Sequence, residues 1–438
     1  MKVFFETMGC PKNFNDTQSA QGLLEQEGFE IVSTPEESDV IVVNTCGFIN
    51  DAKAESINRI FELSDYKEDG KKLVVSGCLS KRYSEVLMEE MPEADLFLGV
   101  NEYEKLPQLL KKLEAEGERK ALVSEEFPPC LPMLPRKLDE NPYTATLKIA
   151  EGCDNCCAYC VIPSIRGGFR SKKKEDVIAE AEMLAAAGCK ELILIAQDLT
   201  NYGMDLYGRR CLHELVEEVC QVDGIHWVRL MYCYEDRISD ELIEVMAREA
   251  KVCHYIDIPI QHSSNNVLAG MKRRSTRESI TATIERLREA IPDIHIRTTF
   301  IVGFPGETEE DYEDLCDFVD EIQFDRLGVF AYSQEENTEA GDREDQIEEE
   351  IKAERVDGIM RQQIEISLAS NQDKIGQVLE VLVEDMDETG AYIGRTEYDA
   401  PEIDNSVIFT SERELAAGDF VKVQINDAFD YDLVGVEV

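Results

Sequence analysis

The feature that most limits how this chain can fold is a repeat of short apolar runs, each followed by a stretch with apolar positions at helical spacing. KVFFET precedes FNDTQSAQGLLEQEG, DVIVVN precedes FINDAKAESINRIFELS, and KLVVSG precedes SKRYSEVLMEEM. Runs that are apolar throughout read as strands buried on both faces, and the intervening helices predict an open, mostly parallel α/β sheet. A Pro-rich break, FPPCLPMLPRKLDENP at 127–142, reads as a domain boundary. Beyond it the pattern resumes with TATLKIA, ELILIAQ, WVRLMY, YIDIPIQ, IRTTFIVG and RLGVFAY, between which helices such as EDVIAEAEMLAAAG and ESITATIERLREAI fit. Six such units predict a partial (β/α)6 barrel with its site in the loops at the strand C-terminal ends. A long charged helix with Ile347, Ile351, Ile364 and Leu368 as its apolar positions then leads to VLEVLVEDM, AYIGRT, SVIFT and FVKVQIN, with turns at ETG and AAGD. That last segment reads as a small antiparallel β-barrel. The fold class is α/β, with domains expected at residues 1–126, 139–370 and 371–438.

Fourteen cysteines lie on this scaffold. Cys153, Cys157 and Cys160 follow the strand TATLKIA with the spacing CxxxCxxC. Three thiolates on one tight loop can ligate three irons of a four-iron cluster, and the missing fourth ligand leaves an iron open. In radical enzymes S-adenosylmethionine takes that place. A zinc site is the rival reading, since Cys153 with Cys156 and Cys157 with Cys160 make CxxC pairs. Adjacent Cys156 and Cys157 make tetrahedral closure awkward, so Cys156 is read as a bystander or as a residue supporting the ligands from behind. Gly303 and Pro305 in the GFPGET turn, together with Gln197 and Asp198 just past another strand, are candidates for contact with S-adenosylmethionine. Cys10, Cys46 and Cys78 are far apart in sequence, yet each ends an apolar strand: FFETMGC, VIVVNTC and LVVSGC. Strand C-termini of an open parallel sheet converge on one crevice, so these three are expected to meet as a second triad one ligand short of four. The remaining cysteines read as packing; His262 in PIQHSS ends a strand, where it is either a lining residue of the site or, on the preferred reading, structural.

The formal net charge of −46, from 91 acidic against 45 basic residues, disfavours nucleic-acid backbones and favours basic partners. No apolar run of about 18 residues predicts a membrane span. The N-terminus lacks the apolar core and cleavage site of a signal peptide, so a cytoplasmic location is expected. In a reducing cytoplasm the cysteines point to metal binding rather than to disulfides.

With TMGCPKN around Cys10, VNTCGFI around Cys46, SGCLSKRY around Cys78 and EGCDNCCAYCVIPSIRG around the second triad, the chain resembles the radical S-adenosylmethionine methylthiotransferases. PIQHSSNNVLAGMKR and FIVGFPGET extend the likeness over essentially the whole length. Within that family, CPKN in place of the CQMN usual in the tRNA branch resembles the ribosomal-protein branch, as does DAPEIDNSVIF at 399–409. Asn405 departs from that branch, which commonly has glycine there, and so does GGFRSKKK at 167–174, where Ser-Arg is more usual than Ser-Lys; Arg166 and Arg170 remain. The resemblance implies two [4Fe-4S] clusters, one on Cys10, Cys46 and Cys78 and one on Cys153, Cys157 and Cys160, with a TRAM-type terminal barrel. It implies that one S-adenosylmethionine methylates a sulfur at the open iron of the first cluster. A second is cleaved at the other cluster, and the radical so formed lets the β-carbon of an aspartate in the twelfth small-subunit ribosomal protein capture the methylthio group. An external electron donor is implied. The acidic terminal segment has only four basic residues, Lys374, Arg395, Arg413 and Lys422, which suits a basic ribosomal protein better than tRNA. Asp399, Glu402 and Asp404, beside an expected exposed turn, are candidates for holding that partner. Two alternatives are a tRNA adenosine methylthiotransferase on the same scaffold and a non-catalytic iron–sulfur sensor that binds ribosomes.

Overall fold

The computed structural model describes residues 1–138 and 142–438, so the boundary expected at residue 139 lies outside the described residues. The chain forms two compact units. One comprises Met1–Asp139, Lys148–Val177 and Ser333–Thr338; the other comprises Glu140–Leu147, Ile178–Tyr332 and Glu339–Val438.

In the first unit, β1 (Lys2–Thr7), β2 (Glu30–Val32), β3 (Val40–Thr45), β4 (Lys72–Gly77), β5 (Leu96–Leu98) and β6 (Lys120–Leu122) form a parallel sheet in the order β2-β1-β3-β4-β5-β6. Side chains alternate along each strand, so Val3, Val42 and Val74 pack with Leu24 and Leu110 on one face. Ile41, Val43 and Val75 pack with Ile60 and Leu87 on the other. This two-sided burial is why the runs read as continuously apolar. The three expected strands are present, and β2, β5 and β6, of three residues each, were not expected.

β7 (Thr144–Lys148) begins the second sheet. A short antiparallel ribbon, β8 (Ala150–Glu151) with β9 (Arg170–Ser171), then brackets the loop that carries Cys153, Cys157 and Cys160. β10 (Glu191–Ile195), β11 (Trp227–Leu230), β12 (Val252–Gln261), β13 (His295–Val302) and β14 (Arg326–Ala331) complete an open sheet in the order β14-β13-β12-β11-β10-β7. Each strand is beside its neighbour in sequence, as a partial (β/α)6 barrel requires.

The long helix spans Glu349–Gln372 and differs from expectation. Ile347 precedes it and Ile351 is exposed. Its buried positions instead include Lys352, Arg355, Ile359, Gln363 and Asn371. The face is polar because it meets backbone carbonyls and a carboxylate: Lys352 donates to Tyr332 O, Gln363 to Phe324 O, Asn371 to Phe429 O and Arg355 to Glu307.

β15 (Val378–Met386), β16 (Tyr392–Arg395), β17 (Val407–Thr410), β18 (Phe420–Ala428) and β19 (Leu433–Glu437) close a barrel in the order β15-β16-β17-β19-β18. It is not wholly antiparallel, because β17 and β19 pair in parallel. The segment after β16 is also not a free acidic turn. Arg395 is buried against Glu191, which also accepts from Arg229 Nε at 2.9 Å. Asp399 accepts from Arg326 Nε at 2.9 Å, and Asp404 accepts from Arg297 at 2.5 Å and from the Tyr255 hydroxyl at 2.8 Å. Of the three candidate docking charges only Glu402 is exposed. It carries the positive φ of this segment, +67°, whereas Asn405 is not among the positive-φ residues and replaces glycine there without strain.

Candidate active site

The first unit brings Cys10, Cys46 and Cys78 together. β1 lies between β2 and β3, so the connections leave in opposite directions on either side of it, and ligands bind at the strand C-terminal ends beside such a reversal. Cys10 caps the helix Pro11–Gln26 after β1, Cys46 directly follows β3, and Cys78 opens the helix Cys78–Glu90 after β4. Glycine makes the approach feasible. Gly9 has φ +91°, and a Cβ there would lie 2.8 Å from Cys46 Cβ; Gly77 has φ +95°, and a Cβ there would lie 2.5 Å from Thr45 O. Burial pushes the Cys46 thiol up and the Cys78 thiol up to about 12. At Cys78 the Arg166 charge acts in the opposite sense, while the neighbouring Cys10 and Cys46 sulfurs add to the rise. Arg82 ties the Cys46 loop down by donating to Gly47 O at 3.0 Å and to the buried Glu335 at 2.6 Å.

The second triad lies on the loop between β8 and β9, pinned by Cys153 N donating to Gly167 O at 3.1 Å. Asn155 N and Nδ2 donate to Cys153 Sγ at 3.5 and 3.3 Å, and Ile162 N donates to Cys160 Sγ at 3.4 Å. Burial, then the charges of Cys157 and Cys153, push the Cys160 thiol up. N–H groups aimed at the Cys153 and Cys160 sulfurs suit thiolate ligands of a cluster, whose properties depend on such bonds. Cys156 is exposed. Among the described residues no three His, Cys, Asp or Glu side chains are gathered round one metal-ion position. A cluster held through three different irons does not require its thiolates to meet at one ion.

A buried polar group that no sequence pattern marks joins the two triads within this unit. Arg166 donates from one amino group to Asp16 Oδ2 at 2.7 Å and Glu151 Oε2 at 3.3 Å. The other donates to Asn13 Oδ1 at 2.7 Å and Cys78 Sγ at 3.3 Å. Lys148 pairs with the same two carboxylates. Burial opposes the Arg166 charge, but Cys78, Glu151 and Asp16 more than offset it and hold its pKa high. Asn13 and Arg166 stand inside the motifs TMGCPKN and PSIRG, but no spacing rule pairs residues so far apart.

The other candidates lie in the second unit. Gln197 stands two residues past β10, and Gly303 and Pro305 follow β13. Asp198 is buried in an ion pair with Arg237 and accepts from Thr200 Oγ1 at 2.8 Å, so its carboxylate serves the protein itself. Gly303 has φ +72°, and the space a Cβ would need is filled by Lys352, with Cγ 2.3 Å away. The turn is held by Glu307, which accepts from Phe304 N at 3.0 Å and from Arg355 at 2.8 Å. Thr308 and Asp311 then form a capping box that starts the helix Glu309–Ile322. His262 is buried and accepts from Ser264 N at 3.0 Å, and burial lowers its pKa to about 4, which favours the neutral ring.

Residues 2–99 match the Uncharacterized protein family UPF0004, residues 147–319 the Radical SAM superfamily and residues 375–438 the TRAM domain. The chain is 49% identical over 433 residues to the ribosomal protein uS12 methylthiotransferase RimO of Desulforamulus reducens, covering 98% of both chains. It is 48% identical to that of Clostridioides difficile, covering 99% of this chain and 98% of the relative. The chain belongs to the ribosomal protein uS12 methylthiotransferase RimO family. As a RimO-family member it is a transferase of the radical S-adenosylmethionine type. The radical S-adenosylmethionine methyltransferase TsrM of Kitasatospora setae shares the fold, with a TM-score of 0.59 at 17% identity, covering 78% of this chain and 77% of TsrM. Among the described residues no helix is long and apolar enough to cross a membrane.

Proposed function

We propose that this enzyme transfers a methylthio group to the β-carbon of an aspartate in ribosomal protein uS12, using two [4Fe-4S] clusters held by two cysteine triads. The observation that carries the reading is the presence of two separate triads, each one ligand short of four, in a chain nearly half identical to curated uS12 methylthiotransferases over its whole length. When bound, the cluster on Cys153, Cys157 and Cys160 supplies the electron that splits S-adenosylmethionine, and the cluster on Cys10, Cys46 and Cys78 supplies the sulfur for transfer. Asn155 and Ile162 hold the second triad's sulfurs by N–H donation, and Gly9 and Gly77 let the first triad close. Gln197, Gly303 and Pro305 are the proposed contacts to S-adenosylmethionine, with Gly303 acting through the backbone of its turn. The functional domains are read as 1–126, 139–370 and 371–438, in a cytoplasmic enzyme served by an external electron donor.

The basic residues of the terminal barrel tell against tRNA as the substrate. Arg395 and Lys374 are buried, Arg413 pairs with Glu437, and Lys422 lies 3.5 Å from Glu380. Arg395 and Lys374 are thereby withdrawn as phosphate contacts, and each of the two exposed cations stands beside a carboxylate that disfavours a phosphate. The reconstituted chain is expected to bind about eight irons, and the Cys153→Ala, Cys157→Ala, Cys160→Ala variant about four. That variant should form no 5′-deoxyadenosine. The variant lacking Cys10, Cys46 and Cys78 should form it without methylthiolating uS12, as mass spectrometry of the ribosomal protein would show. Zinc in place of iron, or modification of tRNA with uS12 untouched, would overturn the reading.

A further inference from the structure

We propose that Arg166 is a positioning residue for the first triad: reaching from the loop that carries Cys153, Cys157 and Cys160, its guanidinium fixes and stabilises the Cys78 sulfur as an iron ligand. The inference rests on the reading that Cys10, Cys46 and Cys78 hold a cluster of their own.

The geometry leaves the guanidinium little freedom. It is planar, and one amino group is fixed by Asp16 Oδ2 at 2.7 Å and Glu151 Oε2 at 3.3 Å. The other amino group therefore has a set direction, and along it lie Asn13 Oδ1 at 2.7 Å and Cys78 Sγ at 3.3 Å. Asn13 cannot present its amide nitrogen instead, because Nδ2 already donates to Met8 O at 2.9 Å and Thr45 O at 3.1 Å. Lys148 shares both carboxylates, so Arg166 is not alone in neutralising them. Two cations and two carboxylates balance, with every one of the four side chains buried. The arrangement places a permanent positive charge and an N–H donor on one sulfur of the first triad. That charge comes from a residue six positions after the last cysteine of the second.

An N–H donor and a positive charge at a ligating thiolate favour the more negatively charged, reduced form of its cluster. Loss of Arg166 therefore lowers the reduction potential of the first cluster without removing any iron ligand. A lysine keeps the charge but not the fork, so it cannot hold both carboxylates and also reach Cys78.

The test uses the full-length chain with Cys153, Cys157 and Cys160 changed to alanine, reconstituted anaerobically, so that only the first triad can bind iron. In this parent, Arg166→Met is expected to retain about four irons. Its midpoint potential should be more negative, with a changed electron paramagnetic resonance spectrum of the reduced cluster. Arg166→Lys should fall between the two. Because Arg166→Met leaves two buried carboxylates facing one cation, the paired variant Asp16→Asn, Arg166→Met restores the charge balance and should show a shift in the same direction, smaller because a negative charge is removed with the positive one. If neither methionine variant folds, Arg166→Lys carries the test alone. An unchanged potential and spectrum in the folded variants would overturn the proposal while leaving the two-cluster reading intact. A parent that binds no iron would overturn the two-cluster reading, and the role of Arg166 with it.

Discussion

Gly9 shows how much of the site depends on an atom that is absent. Its φ of +91° and the 2.8 Å that would separate a new Cβ from Cys46 Cβ make Gly9→Ala strained in two ways. The left-handed backbone alone costs a non-glycine residue about 1 kcal/mol, which a stable domain tolerates. The close approach has no such outlet, because yielding means moving Cys46. Gly9→Ala is therefore expected to keep its fold by circular dichroism but lose iron from the first triad, falling from about eight irons to about four. A full iron complement in the folded variant would show that the Cys10 loop closes by another route. The cysteines themselves were legible in the sequence, because strand-ending runs and the CxxxCxxC spacing mark them directly. Their supports were not. Nothing in TMGCPKN says that Asn13 turns its oxygen to an arginine beyond residue 160, since that contact depends on how the β8–β9 loop lies against the sheet.

Strands show in the sequence wherever burial on both faces produces a long uniform apolar run. The six strands β7 and β10–β14 were each legible as apolar runs, and so were β1, β3 and β4. Strands of three residues, such as β2 and β5, carry too few side chains to show a period. The segment after β16 failed for a different reason. Its charges suggested a solvated turn, but Asp399 and Asp404 meet arginines 73 and 107 residues away. Removing one side of such a buried pair leaves an uncompensated charge, typically costing about 3–5 kcal/mol. Asp399→Asn, being nearly isosteric, is expected at the low end of that range, and Glu402→Gln within about 0.5 kcal/mol of the parent in urea unfolding. Equal effects of the two would contradict the buried role of Asp399. Glu191 adds a pH dependence. Burial alone would raise its pKa, but Arg395 and Arg229 reverse this and lower it to about 2 from the ordinary 4.5. A carboxyl with a depressed folded pKa stabilises above its unfolded pKa, and that stability is lost as pH falls through the folded value. The loss should therefore run from about pH 4.5 down to about pH 2 and amount to about 3 kcal/mol. Arg395→Met, which removes the principal partner, should flatten that part of the stability–pH profile.

The charge excess of the chain is concentrated on its outer surface. Many cations of the chain are used internally: Arg166, Arg229, Arg326 and Arg395 are all buried in ion pairs with carboxylates. The outward field is accordingly set by acids, and on the terminal barrel Asp385, Glu388, Glu402, Glu412, Glu414, Asp427 and Asp430 are exposed. A basic ribosomal protein would be drawn to such a surface over distances of about a Debye length, about 10 Å at 0.1 M salt. Each exposed charge contributes under about 1 kcal/mol, so no single one should matter much, whereas a neutralised group should. Changing Asp385, Glu388, Glu412 and Glu414 to their amides is expected to raise KM for the ribosomal protein several-fold at low salt. The difference from the parent should shrink as salt rises, because screening removes from the parent what the substitutions removed from the variant. Formation of 5′-deoxyadenosine without the protein substrate should be unaffected, which separates docking from chemistry. The four positions carry none of the buried ion pairs that hold Arg326 and Arg297, so the variant should also keep the parent's thermal stability. A KM that stays at the parent value at low salt would mean that the barrel's charge is not what the ribosomal protein meets, and that its docking surface lies elsewhere on the chain.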